Sequence, residues 1–280
     1  MTKTPRDALD QALLARFPDA PTMPEGVACT ETLRGLATRG SCRAFNNDPV
    51  PFELLDMLSA LALASPTKSD LQQRDIIFVQ SASVRTALAD LVSGQAWVAQ
   101  APIIAVFCGN NRRQRLIHEW HDVPFANDHL DAFFNASVDA AIALSAFVVA
   151  AESQGLGCCP ISAVRNAAAK VSTLLHLPDH VFPVAGLAIG YPAQAPDISM
   201  RLPLRVTRHV DRYSETGLRE AVAAYDESRA ARQPYNTQRR RDVFGAKATY
   251  TWSDDKTRQY SAPERADFGA FVRAKGFRLD

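Results

Sequence analysis

The sequence predicts an α+β fold, and three observations carry that expectation. Residues 75–80, 102–108 and 181–189 are short, nearly uninterrupted apolar runs, the pattern of strands in a sheet covered on both faces. The segments between them carry helical spacing, without the regular strand–helix alternation of a wound parallel sheet. The stretch 130–154 is rich in alanine and holds only Asp131, Asp139 and Glu152 as charges. A helix apolar nearly all round must be buried on all sides. In a chain of 280 residues the centre of a dimer is the simplest place for it. Asn135, Ser137 and Asp139 interrupt it too often for a membrane span.

Residues 7–17 read as an amphipathic helix, and Pro18, Pro21 and Pro24 then prevent its continuation, so 1–30 is expected to be an N-terminal extension. Residues 31–210 are expected to form the core and 211–280 a C-terminal excursion. A short helix is expected over 30–38. Asp48-Pro49-Val50-Pro51 introduces a clearer one over 52–64, with Leu54, Leu55, Leu58, Leu61 and Ala62 at apolar positions. Ser65 to Ser69 form a polar turn before the first strand. Gly155 is placed to cap the long helix, and residues 156–162 read as a turn of small residues. Helices are expected near 217–231 and 267–275, flanking the basic stretch 237–241.

Composition narrows the function. A net charge of +1 provides no general field toward nucleic acid or an anionic membrane, which argues against reading Arg239–Arg241 as a nucleic-acid tail. Five cysteines, odd in number and without C-x-x-C spacing, suit neither a zinc site nor a disulfide framework and point to a reducing cytoplasm. The adjacent Cys158 and Cys159 read as small buried residues rather than a redox pair. His118, His121, Asp122, Asp128 and His129 have ligand chemistry, but surface loop residues describe them better than a metal site. The first residues show no signal-peptide pattern.

Four segments carry candidate chemistry. Arg39-x-Ser41-x-Arg43 brings two guanidinium forks and a hydroxyl together just after a helix, as a phosphomonoester cradle requires. The polar turn Ser65-Pro66-Thr67-Lys68-Ser69-Asp70-Leu71-Gln72 offers hydroxyl and amide groups to a polar ligand. Gly155-Leu156-Gly157-Cys158-Cys159-Pro160-Ile161-Ser162 has side chains small enough for a flat ring to approach the backbone. Gly190-Tyr191-Pro192 is followed by Arg201-Leu202-Pro203, whose arginine can reach back to the same phosphate. No G-x-G-x-x-G opens a strand–helix unit, so a dinucleotide domain is not expected.

In this order, with Gly94-Gln95, Val138-Asp139, Ala150-Ala151-Glu152-Ser153, Val164-Arg165-Asn166 and Thr251-Trp252-Ser253-Asp254, these segments resemble the nitroreductase family, in particular its NADPH-flavin oxidoreductase and oxygen-insensitive major nitroreductase branch. The resemblance runs from about Thr32 to the end of the chain. It implies a nitroreductase-like α+β fold, a central mixed sheet flanked by helices, with FMN at a homodimer interface. By position, Arg39, Ser41 and Arg43 match the first flavin-binding motif and Arg201 the last phosphate ligand. Thr67, Ser69 and Gln72 match the loop at the ribityl chain, with Ser69 and Asp70 bordering the substrate pocket. Gln95 matches the amide at the pyrimidine edge, and the backbone of Pro160, Ile161 and Ser162 the segment lining the ring. Arg265, and Arg240 within the arginine triplet, are the candidates for a phosphate of NADPH.

The implied activity is two-electron, ping-pong transfer from NADPH or NADH to nitroaromatics, quinones or flavins, carried by the flavin without a catalytic side chain or a metal. A flavin reductase supplying reduced FMN to a partner monooxygenase, or a flavin-binding protein without turnover, are the alternatives. The sequence departs from the family at Ser199, where a basic residue commonly accompanies Arg201, at Gly40, where arginine is usual, and at Ser162-Ala163, in place of a glycine pair. Asp70 replaces an aromatic residue, which favours neutral or cationic acceptors.

Overall fold

The structure, a computed structural model, describes residues 4–92 and 96–280. Its elements begin with α1 (Pro5–Arg16), α2 (Glu31–Thr38), α3 (Phe52–Leu63), β1 (Arg74–Val79), α4 (Ala82–Leu91), α5 (Ala96–Ala99), β2 (Ile103–Asn110), α6 (Arg112–Trp120) and α7 (Leu130–Ser153). They continue with β3 (Gly157–Ile161), α8 (Ala168–Leu174), β4 (Val181–Gly190), α9 (Leu204–Thr207), α10 (Leu218–Arg232), α11 (Arg241–Phe244), α12 (Trp252–Gln259) and α13 (Phe268–Ala274). Two compact units result, each assembled from separated stretches: Met1–Gly40 with Asp197–Glu264, and Ser41–Pro196 with Arg265–Asp280. This differs from the expected succession of 1–30, 31–210 and 211–280. The two stretches of the first unit share apolar contacts, with Ile198 packed against Leu9, Ala12, Met23 and Ala37.

In the first unit, α1 starts on a capping box between Thr4 and Asp7 with Pro5 at its first position. Its apolar side meets α2, burying Leu9, Ala12, Met23 and Ala37 with Ile198 packed against them. A second capping box, Thr251 with Asp254, starts α12. That helix joins α10 through the edge-to-face pair Tyr225–Trp252 and through Asp226, which accepts from the Ser253 amide at 2.9 Å.

The second unit holds a four-stranded sheet in the order β1-β2-β4-β3. The α+β class stands, but every pairing is antiparallel where a mixed sheet was expected. The connection from β3 to β4 leaves at Ile161, opposite Gly186, and re-enters at Val181, the same end of the sheet, which sets an antiparallel neighbour. Both faces are covered, as the apolar runs required. On one face, Ala105, Phe107, Leu187 and Ile189 pack with Leu55 and Leu58 of α3 and Ala143 and Phe147 of α7. On the other, Ile104, Val106, Cys108 and Ala188 meet Leu88 of α4 and Val171 of α8. The alternation along β2 divides its side chains between the two cores. Each fully buried Phe contributes about 1.5–3 kcal/mol.

Helix α7 is long and apolar enough to cross a membrane by length and composition alone. Here it lies on the sheet as a core helix, with Ala136, Asp139, Ala140, Ala143, Phe147 and Ala151 buried. It ends as the sequence indicated: Gly155 takes φ +78°, its amide donates to Glu152 and the Leu156 amide donates to Ala151, a Schellman closure. The glycine-rich run after it, which the sequence presents as a turn, forms the edge strand β3. Its first residue sits against the segment that carries Ser41 and Arg43. A Cβ on Gly157 would stand 2.6 Å from both Cβ and Sγ of Cys42. The first turns of α7 and the chain end share an aromatic cluster, with ring centres of Phe133 and Phe182 at 4.6 Å and of Phe182 and Phe277 at 5.3 Å.

Gly157→Ala is therefore expected to destabilise the protein by about 1–3 kcal/mol through overpacking. Gly35→Ala, in the middle of α2 with nothing within 4 Å of the added carbon, is expected to stabilise it by about 0.5–1 kcal/mol. Urea unfolding midpoints compare the two.

Candidate functional site

Arg39 and Arg201, placed far apart in sequence, line one cavity of about 630 Å³ in the first unit. Three further cations, Arg16, Arg229 and Lys256, share its lining with Tyr225, Tyr235 and Trp252, and no carboxylate does. Arg39 is there because it ends α2 in extended geometry, which turns its side chain out of the helix. Arg201 is mostly exposed and folds onto the carbonyls of Ser199 and Met200, at 3.3 and 3.2 Å. Arg229 and Tyr225 are four apart on α10 and so lie on one helix face. The Arg229 guanidinium and the Lys256 amine lie 5.1 and 5.8 Å from the ring of Tyr235. Arg229 Nε is buried without a hydrogen-bond partner. A concave wall of cations without a carboxylate is suited to an anion. Sequence reading missed Arg16, Arg229, Lys256, Tyr225 and Tyr235, which no local motif marks, and placed Trp252 in a family segment without a role at the site.

Ser41 and Arg43 belong to the second unit. The segment that carries them is held to the sheet through the Cys42 amide on Cys158 O at 3.0 Å, the Asn46 amide on Tyr191 O at 2.9 Å and a bridge between Phe45 and Pro192. The Arg43 guanidinium is exposed, 5.8 Å from the Trp97 ring. At the end of β3, Pro160 and Ser162 are exposed while the Ile161 side chain enters the core. Only the backbone of Ile161 is therefore available to a ligand, and Pro160, lacking an amide hydrogen, is tolerated because β3 is an edge strand. Gln95 lies outside the described residues.

Thr67, Ser69, Asp70 and Gln72 come together on a loop with unusual backbone. Ser69, Asp70 and Gln72 all have positive φ, at 48°, 58° and 51°. Each costs on the order of 1–3 kcal/mol and persists only where the surroundings enforce it. Two buried charges do so. The Asp139 carboxylate accepts from the Lys68 amide at 2.9 Å and the Gln73 amide at 3.0 Å, one at each end of the loop. The Arg74 guanidinium donates to the carbonyls of Leu63, Ser65 and Pro66 at 2.6, 2.8 and 3.2 Å, closing the C-terminus of α3. Asp70 and Gln72 line a second cavity of about 350 Å³ with Arg113, which donates to the Gln72 carbonyl at 2.7 Å.

The two candidates for a nicotinamide phosphate are engaged within separate units. Arg240, with φ 48°, contacts Ser261 and lies 5.5 Å from the Phe244 ring. Arg265, with φ 56°, donates to Asn166 Oδ1 at 2.9 Å. Of the histidine cluster, His118 sits in the last turn of α6 rather than in a loop, against the Phe125 ring. Asp128 pairs with Arg115 and Arg278, and the hydrogen bond from Arg115 holds its carboxyl below the usual range against the effect of burial. None of the five cysteines forms a disulfide, and all but Cys29 are buried. Burial, with a contribution from Asp75, pushes the Cys108 thiol up to about 12, and burial also raises Cys42.

The Nitroreductase family model matches residues 36–191, and the model of its C-terminal domain matches 199–280. The chain belongs to the nitroreductase family. This nitroreductase-family chain is 31% identical over 253 residues to the FMN reductase [NAD(P)H] of Bacillus subtilis, covering 89% of the chain and 99% of that protein. It is 32% identical over 249 residues to the oxygen-insensitive NADPH nitroreductase of Salmonella typhimurium, covering 88% and 98%. Among solved structures, NfrA2 of B. megaterium superposes with a TM-score of 0.82 at 30% identity, covering 90% of this chain and 99% of that one. The NADPH:FMN oxidoreductase of Vibrio harveyi, complexed with NAD+, gives 0.77 at 28%, covering 88% and 98%.

Replacing Asp139 by Ala leaves the buried amide of Gln73 and the partly buried amide of Lys68 without an acceptor. It is expected to cost about 2–5 kcal/mol and to raise hydrogen exchange at Lys68 and Gln73 ahead of the sheet amides. For the thiols, alkylation with iodoacetamide at pH 8 is expected to label Cys29 in the folded protein and all five cysteines in urea, read by mass spectrometry.

Proposed function

We propose that the chain is an NAD(P)H-dependent flavin oxidoreductase that holds FMN and reduces nitroaromatics, quinones or flavins two electrons at a time. The observation that carries this reading is the cation-lined cavity of Arg39, Arg201 and Arg229, in a chain of this family. The donor set fits a phosphomonoester: guanidinium forks match its oxygens, and the lining holds no carboxylate to repel it. Arg39 and Arg201 would hold the phosphate, with Ser41 and Arg43 completing the motif. Thr67, Ser69 and Gln72 would present polar groups to the ribityl chain, Gln95 to the pyrimidine edge, and the backbone of Pro160, Ile161 and Ser162 to the ring. Bound FMN supplies hydride acceptance and return. The protein supplies orientation: the strained loop is held in place by Asp139 and Arg74 before any ligand arrives, so its ordering cost is met in folding.

Asp70 on the substrate side favours neutral or cationic acceptors, and Arg240 and Arg265 would meet a nicotinamide phosphate. A homodimer is supported by the stripe Leu130, Phe134 and Val138 on α7, exposed at 50%, 60% and 36% and spaced four apart. Cysteines that form no disulfide suit a reducing compartment such as the cytoplasm. The relatives called FMN reductase favour free flavin as one acceptor, which keeps supply of reduced FMN to a monooxygenase as the second reading.

The test is the visible spectrum of the purified protein before and after anaerobic NADPH. Flavin bands that bleach fully are expected. A colourless protein that also fails to take up added FMN would sink the proposal. Arg201→Ala is expected to weaken FMN binding by about 10–100-fold, measured by flavin fluorescence, with the loss of charge-assisted hydrogen bonds.

A further inference from the structure

The first 35 residues precede the family model, and the relatives are matched over 98–99% of their own length by only 88–89% of this chain. Yet this extension is built into the wall of the cation-lined cavity. Arg16, at the end of α1, is buried, with 7% of its surface exposed. Its guanidinium donates to Ala37 O from Nε at 3.3 Å and Nη2 at 3.0 Å, to Arg39 O at 2.6 Å and to Ser199 O at 3.4 Å. Its own carbonyl accepts from the Arg201 amide at 2.7 Å. Three residues on, Asp19 accepts from the amides of Leu204 and Arg205 at 2.7 and 3.1 Å. Burial opposes ionisation of Asp19, but these amides hold its carboxyl below the ordinary value.

Arg16 thus ties the stretch ending in Arg39, through its guanidinium, to the stretch carrying Arg201, through its guanidinium at Ser199 O and its own carbonyl at the Arg201 amide. It also covers carbonyl oxygens at the C-terminus of α2, whose partial negative charge beside the cavity would oppose an anion. We infer that Arg16 is a positioning residue for the phosphate of FMN: it fixes Arg39 and Arg201 at one cavity and neutralises the carbonyls around them. Its fork is spent on main-chain acceptors, so it acts through those two arginines rather than by touching the ligand. This rests on the function proposed above.

The test uses the full chain and compares FMN with riboflavin, which lacks only the phosphate. Flavin fluorescence is titrated for the wild type, Arg16→Met and Arg16→Lys. In Arg16→Met the dissociation constant of FMN is expected to rise about tenfold, with riboflavin changed less than twofold. Arg16→Lys, which keeps the charge but not the fork, is expected to fall between. A folded Arg16→Met with an unchanged FMN-to-riboflavin ratio overturns the inference while leaving the proposed function intact. If that variant does not fold, Arg16→Lys decides: a wild-type ratio overturns the inference, a reduced one supports it. A wild type that binds neither flavin overturns the proposed function, and the inference with it.

Discussion

Much of what can be said about this site depends on one buried carboxylate. Asp139 lies in the middle of α7, wholly inaccessible, where an unpaired charge would cost several kcal/mol. It is tolerated because the amides of Lys68 and Gln73 point at it from the two ends of a single loop. The helix that crosses the sheet therefore also determines where that loop begins and ends. Three left-handed backbone positions between those ends survive because their anchors cannot move without stranding a charge. A rigid helix and a strained polar loop become one mechanical piece, which is what a site that must present hydroxyls and amides in fixed directions needs.

Buried arginines repeat the device with opposite sign. Arg74 gathers the carbonyls at the end of α3, and Arg16 those at the end of α2. In both cases the helix dipole and its unsatisfied carbonyls make the burial of a guanidinium favourable, and the planar fork lets one side chain fasten several main-chain atoms. Lysine could match the charge but not that geometry. The result is that the two segments nearest the candidate ligand groups, the turn after α3 and the turn after α2, are each held by a cation that is not itself offered to solvent.

How much of this was legible in the sequence depends on the range of the interactions. The alanine-rich run became α7 and the apolar runs became β1, β2 and β4, because periodicity and continuity report burial of a segment's own faces. β3 looks like a turn in the sequence. Its first residue, Gly157, is required by the close approach of Cys42, a contact across more than a hundred residues that leaves no local pattern. Likewise α6 is hidden beneath a run of histidines and acids with the chemistry of ligands, while Asp128 is in fact consumed by arginines from two directions.

The sequence by itself determined the class of the fold, the family motifs and the chemistry of the candidate residues, since these depend on residue type and on neighbours a few positions away. Tertiary structure alone decided that every strand pairing is antiparallel, that Arg39 and Arg201 share a cavity with Arg16, Arg229 and Lys256, and that the stretch up to Gly40 forms one unit with Asp197–Glu264. Those outcomes rest on hydrogen bonds and contacts between residues tens to hundreds of positions apart. Their geometry is set by how whole elements pack, and no window of sequence contains both partners.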